Sequence, residues 1–185
     1  MPDISDLKEA ERPKAPRLPD VTAAQRATGR RLAAIHRMYL QEIAEVRAFI
    51  DVIENDRGQA RALSEKIDSM QMAQNLRRFG ALCGRECNHL FAHHGIEEQH
   101  MFPAVDRVAG GLFAKVVAKL RAEHEVVHAL ILELANGTNA LKDAPTDANY
   151  LALRDAFTRL EAVVKSHFRY EETELEEALG LVGFV

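Results

Sequence analysis

What the chain lacks narrows it first. Its 185 residues hold no tryptophan and two cysteines, Cys83 and Cys87. One such pair cannot make a disulfide framework, so a stapled secreted scaffold is excluded and a reducing interior is expected. An excess of charge of one sign is missing too. The formal net charge of −4 leaves no electrostatic footprint for nucleic acid or an anionic membrane. No stretch approaches the roughly 18 uncharged apolar residues that a membrane span needs. The residues after Met1 are acidic and proline-rich, without the apolar segment of a secretory signal. The glycine patterns of dinucleotide folds, P-loops and nucleophile elbows are absent. The expectation is one cytoplasmic domain, long enough for a sizeable core, with no nucleic-acid and no membrane partner.

What is present points to helix. Runs of β-branched residues are scarce, and glycine and proline fall mostly at segment ends. Four prolines (Pro2, Pro13, Pro16 and Pro19) sit among charges in residues 1–20, which predicts an extended N-terminal arm. A first helix is predicted over 21–55, capped by Asp20 or Thr22. Its apolar stripe, Leu32, His36, Tyr39, Ile43, Val46, Ile50 and Ile53, alternates steps of four and three as a bundle seam does. A second helix is predicted over 61–108, kinked or restarted by Pro103 and ended by Gly110-Gly111. A third runs over 112–135 and stops at Asn136-Gly137. A fourth runs over 147–179, after a loop with Pro145. The fold expected for residues 21–185 is all-α, an up-down-up-down four-helix bundle preceded by the arm.

Eight histidines are present, and most lie inside these apolar stripes. The seams place His36 on the first helix, His93 and Glu97 on the second, His124 and His128 on the third, and His167 and Glu171 on the fourth. Residues four apart lie on one face about a turn apart, so each pair can point at one spot in the core. Burying several imidazoles and two carboxylates costs several kcal/mol per uncompensated charge. Metal offsets that cost, since neutral imidazoles coordinate it and carboxylates balance its charge. A network of mutually satisfied core histidines is the alternative. A single His-x3-Glu pair is a weak signal; four helices each offering a ligand-type seam residue is a stronger one. The ferritin-like di-iron pattern does not fit. It needs a lone Glu on two helices and Glu-x2-His on the other two. Glu97-x2-His100 and Glu125-x2-His128 do occur, but Val164 stands three residues before His167, and the first helix offers His36 on its seam.

That set of residues resembles hemerythrins and the hemerythrin-like HHE cation-binding domains. The stretches HHGIEEQHMFPAV, AEHEVVH and HFRYEE are similar to that family's second, third and fourth helix motifs, and the likeness covers about residues 30–180. It implies a non-haem centre of two iron ions. His124, His128 and His167 would hold one iron, His36 and His93 the other. Glu97 and Glu171 would bridge them with an oxo or hydroxo group. The run into Phe102-Pro103 favours His93 and Glu97 over His94 and Glu98. The chain departs from the oxygen-carrying hemerythrins in its last acid: Glu171 lies four residues after His167, and Glu172 takes the fifth place.

Five histidines and two bridging acids fill one six-coordinate iron and leave the other a position short, open to dioxygen, nitric oxide or peroxide. The resemblance therefore implies a protein that senses or handles oxygen, oxidative or nitrosative stress. A peroxide-disproportionating or nitric-oxide-reducing enzyme and an iron-handling regulator use the same ligands, and no catalytic residue is assigned. No protein partner is readable. Cys83 and Cys87 are expected as small buried hydrophobes, Tyr39 and Tyr170 as half-buried tyrosines near the ligands. His100 is expected at the surface or an interface, and the acids Glu172, Glu174, Glu176 and Glu177 as a solvated face.

Overall fold

The computed structural model describes residues 1–55 and 84–183. The first part of the expected second helix, with Cys83 and the side chains of Cys87 and His89, lies outside the described residues. Helix is the only regular secondary structure among the described residues, with no strand among them. Helix α1 spans Ala23–Gly29 and α2 spans Leu32–Asn55. The expected first helix is thus broken at Arg30-Arg31. Thr22 caps α1: its hydroxyl accepts from the Gln25 N–H, while the Gln25 side chain accepts from the Thr22 N–H.

Helix α3 spans Gly84–Ile96, a π-helical segment follows over Glu97–Met101, and α4 runs Phe102–Ala109. Pro103 sits in the first turn of α4, where its missing N–H costs nothing. Gly110 ends α4 with a left-handed φ of 56°, and Gly111 follows at 80°. Helices α5 (Ala114–Asp143) and α6 (Asp147–Val182) are the longest, and they pack along each other. Asn136-Gly137 does not stop α5. Glycine in a helix costs only about 1 kcal/mol against alanine, and the packed helix carries on past it. None of the described helices is long and apolar enough to cross a membrane.

The core is divided in two. One apolar cluster gathers Val46 and Ile50 of α2, Leu90 of α3, Val127 to Leu134 of α5, and Leu153 to Phe168 of α6. The other gathers Leu32, Met101, Phe102, Phe113 to Leu120, and Tyr170 to Leu179. Where the two clusters meet, α2, α3 with its π segment, α5 and α6 enclose an interval that gathers most of the histidines and acids singled out above. The arm runs beside both clusters: Leu7, in the 3-10 turn Ile4–Leu7, is buried in the first, and Leu18 in the second.

Candidate metal centre

Four helical stretches deliver donors to this interval. His36 comes from α2, His93 and His94 from the end of α3, and Glu97 from the first residue of the π segment. His124 comes from α5, and His167 and Glu171 from α6. All seven are buried. Their donor atoms form two groups, each within 4.8 Å: His94, Glu97, His124 and His167 in one, and His36, His93, Glu97 and Glu171 in the other. Glu97 belongs to both. Its Oε1 lies 2.7 Å from His93 Nε2 and its Oε2 lies 3.2 Å from His124 Nε2. Glu171 Oε2 also stands between the halves, 3.4 Å from His36 Nε2 and 4.0 Å from His167 Nε2.

Six of the seven residues expected from the sequence are in these groups. His128 stands one step outside, its Nε2 3.0 Å from His94 Nδ1 and its ring 4.2 Å from that of Phe91. His94 is the donor that sequence reasoning passed over. Adjacent residues on a helix diverge by about 100° at nearly one height, so His93 and His94 reach separate groups from one level. His124 and His128, by contrast, are displaced by about 6 Å along α5. The signal available in the sequence was the His-His doublet itself.

The outer nitrogens are held by a second layer. His36 Nδ1 lies 2.8 Å from Glu172 Oε1, His124 Nδ1 3.0 Å from Glu98 Oε1, and His167 Nδ1 3.2 Å from Glu123 Oε2. A carboxylate only accepts, so each Nδ1 carries the hydrogen and each Nε2 is turned inward. Glu172, expected at a solvated face, is therefore part of the site. Aromatic rings close it: Phe168 stacks on His36 at 3.8 Å, Tyr39 lies 4.9 Å from His93, and Phe102 lies 5.7 Å from His124. His100 is exposed and in neither group.

The electrostatics of this layer are strained. Burial pushes His93 down to about 4 and His94 well below its ordinary value. Burial opposes charge on His36 as well, but the nearby carboxylates of Glu171 and Glu172 outweigh it and raise the ring to about 9. Burial, and then the charge of Glu171, drives Glu97 upward; Glu171 itself is held down against burial by His36.

Whether a metal fits can be judged from the orphaned atoms. Both oxygens of Glu97, both of Glu171, and Nε2 of His94, His124 and His167 are buried without a hydrogen-bond partner. Each such group costs about 1–3 kcal/mol. All of them belong to the two donor groups, whose neutral nitrogens and carboxylate oxygens are what divalent cations coordinate. His36 Nε2 and His93 Nε2 lie 3.2 Å apart, near the about 3 Å separation of two ligands at right angles on one ion. The residues fit a pair of cations.

Among known families, a hemerythrin HHE cation binding domain model matches residues 30–179. Comparisons with curated proteins and with solved structures give no match.

Proposed function

Because this chain belongs to the hemerythrin HHE cation-binding family, we propose that it is a non-haem di-iron protein binding dioxygen, nitric oxide or peroxide at one of its two irons. The carrying observation is that two buried donor groups share Glu97. In this reading the helices form an up-down-up-down bundle around the centre. His94, His124 and His167 would hold one iron and His36 and His93 the other, with Glu97, common to both groups, and Glu171 completing them. Bound there, the iron pair would supply redox-active, electron-deficient chemistry, with the small ligand taken on the His36–His93 side.

The residues around that side do the rest. Glu172 keeps His36 oriented, and Glu98 and Glu123 do the same for His124 and His167. Phe168 and Tyr39 wall the His36–His93 side with aromatic surface, which excludes water and supports capture or sensing over turnover. Metal analysis together with an ultraviolet-visible spectrum tests the centre: two irons per chain are expected. Mixing the di-iron(II) protein with air and then with peroxide tests the ligand. A stable new spectrum is expected. Sustained oxygen evolution from peroxide would replace this reading with an enzymatic one, and absence of bound iron would overturn it.

A further inference from the structure

The three carboxylates that orient the ligand histidines are not equivalent. Glu98 and Glu172 keep about a third of their side-chain surface, 34% and 32%, in solvent. Glu123 keeps 1%. A buried carboxylate needs a buried countercharge, and here it comes from outside the long helices. Arg12 of the arm donates through Nε to Glu123 Oε1 at 2.9 Å and through Nη2 to Oε2 at 3.0 Å, a bidentate clamp. Its Nη1 donates to Ser166 Oγ at 3.0 Å, next to His167 in sequence. The guanidinium lies 4.7 Å over the Tyr170 ring, whose hydroxyl donates to the Pro13 carbonyl at 2.8 Å. Between Leu7 in one apolar cluster and Leu18 in the other, the arm thus presents Arg12 at the level of the donor layer.

We propose that Arg12 is a positioning residue for the three-histidine half of the centre, acting through Glu123 on His167, so that docking of the arm and retention of metal at that half are coupled. The inference rests on the di-metal reading above. Arg12 fixes both oxygens of Glu123, and Glu123 fixes the Nδ1–H of His167, which commits Nε2 to the interior. Losing the clamp leaves Glu123 buried without its countercharge and free to turn from the ring. Outer partners of this kind change metal retention by about 10- to 100-fold. Coupling of two binding events is reciprocal, so metal in this half tightens the arm.

The test compares Arg12→Ala with Lys14→Ala. Lys14 ties the arm to Glu174 at 3.0 Å but does not touch Glu123. Iron-loaded proteins are challenged with a ferrous chelator, and release is followed in time. Arg12→Ala is expected to release one iron about 10-fold faster or more and the second at the wild-type rate; Lys14→Ala should release both as wild type does. In hydrogen exchange, iron should protect the amides of Lys14, Ala15, Arg17 and Leu18 in wild type and not in Arg12→Ala. Arg12→Lys keeps the charge but cannot serve both oxygens, and it carries the same comparison at smaller amplitude if the alanine variant does not fold. Wild-type release from Arg12→Ala, equal acceleration in Lys14→Ala, or iron-independent exchange of the arm would each overturn the proposal. Failure of the wild-type protein to take up two irons would instead overturn the di-metal reading, which separates the two failures.

Discussion

Glu97 is the side chain on which both donor groups depend, since its two oxygens face different histidines. Glu97→Ala is expected to hold neither metal firmly, whereas His94→Ala should lose one metal and keep the other. His128→Ala should retain both, because its ring meets His94 Nδ1 from outside. Elemental analysis of the three purified variants checks this; loss of a metal from His128→Ala with full occupancy in His94→Ala would reverse the assignment. The sequence made most of these residues visible, because imidazoles and acids stand where a seam calls for apolar side chains. The choice between His94 and His128 was not visible. His128 falls on the seam and His94 beside it, and the π segment at Glu97–Met101, which resets the register between α3 and α4, leaves no mark in the periodicity. Tyr170, expected near the ligands, has its hydroxyl committed to the arm instead.

Helix α6 serves three neighbours from three faces. His167 and Glu171 turn inward, Glu172 turns to His36, and Tyr170, Glu174 and Glu177 turn to the arm. The acid run after Glu171 is therefore not a solvated face. Glu174 accepts from the Ala15 N–H at 2.6 Å and Glu177 from the Leu18 N–H at 2.8 Å, and both are buried. Sequence alone hid this because the partners lie 159 residues away. The Leu18 N–H, with Arg26 and Arg17, holds Glu177 down at about 2 against an ordinary 4.5. A carboxyl whose folded value is depressed stabilises the docked arm fully above the unfolded value, and that contribution fades as pH falls from about 4.5 to about 2. The Leu18 amide resonance should accordingly titrate near 2 and not near 4.5. A second expectation concerns the crossing of α1 and α6, where backbones touch. A Cβ at Gly29 would collide with the carbonyl of Glu176, and one at Gly180 with the carbonyl of Gln25. Gly29→Ala or Gly180→Ala should destabilise by about 1–3 kcal/mol or more, since backbone must move, as chemical denaturation would measure.

For the molecule as a whole, the donor layer is a weakness that metal repairs. Two apolar clusters are separated by a stratum of buried, partnerless nitrogen and oxygen atoms, so binding energy is folding energy. A ligand at about 1,000 times its dissociation constant adds about 4 kcal/mol, which in a chain of this size is a rise in melting temperature of about 10 °C. Calorimetry with iron and with excess chelator should show that difference, and equal midpoints would contradict it. At this scale the all-helical class, the helices' order and the family were legible, because stripes of period 3.6 and spaced ligands are local. The arm's place was not. Its prolines predicted an extended segment, but docking depends on Arg12 meeting Glu123 across 111 residues, and no local pattern encodes that.

Those sequence separations fix when the centre can exist. His36 and Glu172 are 136 residues apart, so a ribosome working at about 5–20 residues per second needs roughly 7 to 27 s between the two. Throughout that interval the early histidines are exposed without the acids that will face them. Neither half can close before the segment carrying His167 and Glu171 has emerged, whereas Glu123, the partner of Arg12, follows it by 111 residues. Assembly of either half is therefore a late event of synthesis, timed by the emergence of α6.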